Sequence, residues 1–240
     1  PVGPAGPARQ RARARRALTR AMRRLRSAAL CCAALVALGQ AGAAPPVLQP
    51  EAVWRHFGAL CRLPRCSGDE AAAAEYVRRA AEAAGLVATS DALGNLVVRR
   101  PADPRAAGAP AVVVQTHLDM ACDGAAQAAG HAPPIEVTLR DDGWAAAENA
   151  SHGLGAGSGV GTAVALALLE EPTEGGLPAL EVVFTVQGAS GFLGARGLDA
   201  DLLSGRRLVN LDAEEHGVLI VGAAGGERAK LRVPVASVPV

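Results

Sequence analysis

Aromatic side chains are nearly missing: phenylalanine, tyrosine and tryptophan make up 2% of the 240 residues, although half of the chain is apolar. A core must therefore be packed from alanine, valine, leucine and glycine, and closely spaced small side chains suit layered α/β architecture. Lysine is scarcer still, with Lys230 the single example. The first 26 residues carry many arginines and no acid, whereas the chain from Pro50 onward is mildly acidic. That balance leaves no nucleic-acid footprint on the body of the chain. The apolar run Ser27–Leu38 is too short to span a bilayer comfortably. CxxC spacing is absent, and Cys61, Cys66 and Cys122 are an odd number beyond the N-terminal region. They read as buried small apolar residues rather than a zinc ribbon or a disulfide framework.

Three common motifs are also excluded. The glycines of Gly153–Gly161 fit GxGxxG in no register, and no GK[ST] follows, so neither a dinucleotide fingerprint nor a P-loop is present. Gly188-Ala-Ser190-Gly191-Phe192 approaches a nucleophile elbow, but phenylalanine stands where GxSxG needs its last glycine. His216 is the sole histidine downstream, so the serine-hydrolase order of residues is not met.

What is present begins with a basic segment, 1–21, expected to be disordered and lying ahead of the first methionine. Met22-Arg-Arg-Leu-Arg26, the apolar run and small residues near Ala41–Ala44 have the layout of a secretory signal peptide over 22–44. A secreted or periplasmic chain with no stable membrane span after processing is the expectation. A retained anchor and an organelle transit peptide are the competing readings. Residues 45–228 read as one α/β domain. Glu51–Arg62 puts Val53, Phe57, Leu60 and Cys61 on one helical face. Ser67–Glu70 has the form of a capping box before an alanine-rich helix that Gly85 ends. Leu96–Arg99, Ala111–Thr116, Leu180–Val186 and Leu208–Leu211 read as buried strands, and Ile135–Leu139 as a more exposed one ahead of a turn at Asp141–Gly143. Gly153–Ala163 reads as a glycine-rich loop opening into an apolar helix that ends near Glu170. The fold class is therefore α/β, an open, mostly parallel sheet with helices on both faces.

Polar clusters follow three of the predicted strands: His117-Leu-Asp119, Gln187–Gly191 and Asp212-Ala-Glu214-Glu215. In an open α/β sheet the carboxyl ends of the strands form the ligand-binding edge. Residues two apart in extended chain point to the same side, so Asp119 can orient the His117 imidazole. Taken alone this pair is equally a paired histidine at the edge of a core, and Asp212 equally a turn cap.

Together, HLDM at 117–120, LGAxxGVG at 154–161, LEVVFT at 180–185 and NxDxEE-x-G with AGG at 210–226 resemble the Xaa-His dipeptidases. These are the aminoacyl-histidine or cytosol non-specific dipeptidases, di-zinc exopeptidases. The resemblance runs from about Glu51 to Gly226, the first half of the family's catalytic domain. It implies that His117 and Asp212 are ligands of one zinc and that Asp119 orients His117. The family's metal-bridging aspartate falls at Gly157, its general-base glutamate at Gly188 and its second-zinc glutamate at Ala189. Residues 229–240 would begin the family's lid domain.

Two nearby dications repel strongly, and an anionic bridge makes their pairing tolerable. With glycine or alanine at all three positions, zinc is expected to bind weakly or not at all, and catalysis to be lost. The partners left to such a chain are dipeptides or short peptides, with self-association through an uncovered sheet edge. The competing readings are a secreted peptide-binding module without catalysis, and an active dipeptidase whose sequence here contains errors.

Overall fold

The structure, a computed structural model, describes residues 48–124, 133–147, 153–172, 175–212, 217–222 and 225. The basic segment, the signal-like 22–44 stretch, Glu214, Glu215, His216 and 229–240 lie outside the described residues.

Two helices open the described chain, α1 (Glu51–Cys61) and α2 (Ala71–Ala83). Strands β1 (Ala88–Ser90), β2 (Leu96–Arg100) and β3 (Val112–His117) follow, then a hairpin of β4 (Val137–Leu139) and β5 (Ala145–Ala147). The long helix α3 (Ala156–Glu170), β6 (Leu180–Thr185), the single turn α4 (Leu193–Arg196) and β7 (Arg207–Asn210) complete the order. Five strands form one sheet in the order β1-β2-β6-β3-β7. β3 pairs in parallel with β6 and β7, whereas β1–β2 and β2–β6 are antiparallel. The sheet is thus mixed, and its parallel part is the part that carries the polar clusters.

Alternation along the strands divides the apolar residues between two faces. Leu96, Val98, Val114, Val182 and Phe184 join Phe57, Leu60, Val77, Ala163 and Leu166 in the main core under the helices. Val97, Val113 and Val183 form a smaller cluster on the other face, beneath Leu198, Leu202 and Leu203. His56 is buried in α1, where Nδ1 meets the Tyr76 hydroxyl at 2.8 Å and Nε2 meets Glu170 Oε1 at 3.0 Å. Burial pushes its pKa down, against the pull of Glu170.

Four expectations need correction. Leu208–Leu211 is not a buried strand: β7 lies at the edge of the sheet, paired on one side only with β3, and its residues are exposed. The glycine-rich segment is helical from Ala156 onward, so Gly157, Gly159 and Gly161 lie inside α3. Packing explains why glycine is tolerated there: a Cβ on Gly161 would come within 2.9 Å of Leu211 O and Thr116 Oγ1, and one on Gly159 within 2.9 Å of the Phe57 ring. Ser67–Glu70 is not a capping box. Ser67 Oγ donates to Asp119, and Glu70 Oε1 accepts from the amides of Gly68 and Gln187, each at 2.9 Å. Finally, Cys66 and Cys122 form a disulfide, leaving Cys61 as a buried free thiol. The two partners are 56 residues apart and are brought together by a parallel bridge between Cys66 and Met120, which no local spacing reveals.

Candidate functional site

β3 delivers His117 to the carboxyl edge of the sheet, and the chain then turns through Leu118 and Asp119. Asp119 is fully buried, and its two oxygens are saturated with donors. His117 Nδ1 lies 2.9 Å from Oδ1, the Gly188 amide donates to Oδ1 at 2.7 Å, and the Ala189 amide donates to Oδ2 at 2.9 Å. Ser67 Oγ also donates to Oδ2. Burial by itself would raise the pKa of this carboxyl. The donors from His117, Ser67, Ala189 and Gly188 outweigh it and hold the group at about 2.

An ionised carboxylate only accepts, so His117 must carry its proton on Nδ1. That leaves Nε2 facing outward, 3.5 Å from Asp212 Oδ2. Asp212 is placed from β7: its amide donates to Asn210 Oδ1 at 2.9 Å, and Leu211 N donates to Gln115 O at 2.9 Å. His117, Asp119 and Asp212 are therefore assembled at one point, although β3 and β7 reach it from far apart in sequence. With the proton on Nδ1, Nε2 and the Asp212 carboxylate oxygen face each other as two acceptors, a gap in which a cation could be held.

Beneath this pair lies a second set of residues that the sequence reading passed over. Arg65 is buried, with Nη2 donating to Gly155 O at 2.7 Å and Nη1 to Ser158 Oγ at 2.9 Å. Its Nε has no hydrogen-bond partner among the described residues. Ser158 Oγ donates onward to Asp119 O at 2.6 Å, and Thr162 Oγ1 to His117 O at 3.2 Å. The first turns of α3 are thereby latched to the end of β3. Gly155, in the left-handed region at φ 63°, has no room for a side chain, because a Cβ would sit 2.4 Å from Arg65 Nη2. Ser67 was read only as part of a capping box, and Arg65 gave no signal beyond its residue type.

The positions that the resemblance marks as altered behave differently from one another. Gly157 is exposed, and a Cβ there would meet only Asp212 Oδ1, at an ordinary 3.6 Å. Gly188 is buried against His117, and a Cβ there would lie 2.6 Å from Cγ and 2.7 Å from Nδ1 of the ring. The turn from Gln187 to Ala189 is held by carboxylates through three consecutive amides, one on Glu70 and two on Asp119. No group of three or more His, Cys, Asp or Glu side chains that could hold a metal ion occurs among the described residues. A catalytic zinc normally takes three protein ligands and a water. Among the described residues His117 and Asp212 supply two, so those residues do not fit a metal pair.

No protein-family model matches the chain. Over 181 residues it is 34% identical to the cytosol non-specific dipeptidase of Escherichia coli K12, an alignment covering 75% of this chain and 36% of the relative. Its fold is similar to that of an aminoacylhistidine dipeptidase from Vibrio alginolyticus, with a TM-score of 0.61, 30% identity, and coverage of 73% of this chain and 36% of that one. A tripeptidase from Staphylococcus aureus shares the fold, with a TM-score of 0.61 at 20% identity, over 71% of this chain and 45% of that one. The chain spans about a third of the length of the curated relative it matches. With its HLDM segment ending β3, its glycine-bearing α3 and its NLD segment ending β7 meeting at one edge of the sheet, the chain is similar over about three quarters of its own length to the Xaa-His dipeptidases.

Proposed function

We propose that this chain is a catalytically silent member of the family that keeps the imidazole–carboxylate half of a metal site and has lost the rest. The observation that carries this reading is the occupancy of positions 157, 188 and 189 by glycine, glycine and alanine around an otherwise ordered His117. Position 188 weighs most, because the turn lies so close to the imidazole that no side chain fits there as it stands. Without a carboxylate at that point, water activation loses a base worth roughly 10²–10⁴-fold. Zinc, if taken up, would rest on His117 Nε2 and Asp212, with Asp119 fixing the imidazole behind it.

Metal analysis after zinc loading, run beside a dipeptide hydrolysis assay, tests this reading. Less than one tightly held zinc per chain and no turnover above background are expected. Gly157→Asp should raise zinc affinity at least tenfold, since the new carboxylate would stand beside Asp212 Oδ1, and should still give no turnover. Chelator-sensitive dipeptide cleavage by the unaltered chain, abolished by His117→Ala, would overturn the proposal.

A second reading, a secreted module that binds peptides without catalysis, is favoured by two features. An open groove of about 710 Å³ runs past Asp212 between β7 and Val218–Gly222. The Cys66–Cys122 disulfide belongs with an oxidising compartment, as does the signal-like segment 22–44. Peptide binding that is unchanged by chelator would support it, and binding that needs zinc would exclude it.

A further inference from the structure

The segment carrying Arg65 and Ser67 meets the one carrying Asp119 along a very short seam. A single parallel bridge joins Cys66 to Met120, flanked by Met120 N donating to Arg65 O at 2.8 Å and Ser67 N donating to Met120 O at 3.2 Å. Neither segment belongs to a strand of the main sheet. Yet this seam sets the polar environment of His117. From one side of it Ser67 Oγ reaches Asp119 and Arg65 reaches Ser158, while Asp119 itself holds the imidazole and the amides of Gly188 and Ala189. The Cys66–Cys122 disulfide closes the seam two residues beyond Met120.

We propose that the Cys66–Cys122 disulfide is a redox-controlled brace on the platform that presents His117. Formed, it holds Ser67 on Asp119 and keeps the turn at 188–189 in place. Opened, it frees the Arg65–Ser67 segment, and the donors around Asp119 loosen together. This inference goes beyond the functional reading above and does not depend on whether the site cleaves, binds or ignores peptides.

The chemistry is ordinary thiol–disulfide exchange. In closure, one cysteine thiolate attacks a small disulfide such as oxidised glutathione and expels one thiol. The second cysteine then displaces the other, so the two protein thiols are oxidised and the donor leaves as two thiols carrying both electrons and both protons. Opening is the reverse, driven by a dithiol. Access is asymmetric in a way that suits a switch: Cys66 is buried, whereas Cys122 is partly exposed and is the end an external thiolate reaches. The remaining thiol in the described core does not compete. Cys61 is buried in α1, and burial pushes its pKa up, so it stays a protonated, poor nucleophile.

The test uses the full chain purified without reductant. Alkylation and peptide mapping should find Cys66 joined to Cys122. Amide hydrogen exchange is then compared with and without dithiothreitol. Reduction should speed exchange at the amides of Ser67, Met120, Gly188 and Ala189 by tenfold or more and leave those of Val182–Phe184 unchanged. The double variant Cys66→Ala, Cys122→Ala should show the fast pattern already and should not respond to dithiothreitol, which separates this bond from Cys31 and Cys32. Both cysteines found free in the untreated chain would overturn the proposal, as would unchanged exchange at the four amides. A rise spread evenly over the whole sheet would also overturn it, because the bond would then be a general staple and not a local brace.

Discussion

Replacing Gly188 by alanine should destabilise the protein, and replacing Gly157 by alanine should not. Neither glycine has a positive φ, so each alanine meets the backbone on equal terms and the outcome is decided by space. At 188 the new methyl would stand 2.6 Å from His117 Cγ, 2.7 Å from Nδ1 and 2.8 Å from Cβ. These atoms are not a mobile side-chain tip. The ring is tied to Asp119, which is tied in turn to the very amides of the turn that would have to retreat. Inserting a methyl into such a place costs about 1–3 kcal/mol. For a domain of this size each kcal/mol lowers the melting temperature by about 2–4 °C. At 157 the methyl meets only Asp212 Oδ1, at an ordinary 3.6 Å, and glycine-to-alanine inside a helix gains about 0.5–1 kcal/mol. Urea unfolding of both variants, read as midpoint shifts at constant slope, gives the comparison. A Gly188→Ala protein as stable as the parent would refute the claim that the turn is seated against the imidazole.

Acid should weaken the fold already near neutrality through His56. Burial lowers its folded pKa, so the stability it contributes is complete above the unfolded value of ~6.5 and is lost as pH falls toward the folded one. Unfolding free energies across pH 7 to 5 should decline by at most one proton's worth, up to ~1.4 kcal/mol per pH unit, and His56→Gln should flatten that slope; an unchanged slope would count against it. The exposed apolar residues of β7, Leu208 and Val209, together with Val218–Val221, should make the chain associate as concentration rises. Sedimentation should show this and show relief in Leu208→Lys, whereas a monomer at every concentration would exclude it.

The strands were legible because buried parallel strands read as unbroken apolar runs, and AVVVQT and LEVVFT are such runs. The start of α3 was not, since three glycines in its first turns argue against helix on propensity alone. For Gly159 and Gly161 the justification lies in Phe57, Thr116 and Leu211, neighbours that only the folded chain supplies. In the site, Asp119 contacts His117 at the HxD spacing, and Asp212, which the family pattern named, lies beside the same ring. Arg65, Ser67 and Glu70 act across distances of 50 to 120 residues, so no window of sequence could show what they hold. The disulfide was missed for the same reason: an odd count of unpatterned cysteines is poor grounds for pairing.

The tight seating of the 188 turn gives positions 157 and 188 unequal freedom to accept a carboxylate. At 157 a side chain has room, meeting only Asp212 Oδ1 at an ordinary contact distance. A glutamate at 188 would arrive in a scaffold that rejects it, and would be selected against before it could contribute to chemistry. New ligand chemistry is therefore open at position 157 while position 188 stays shut.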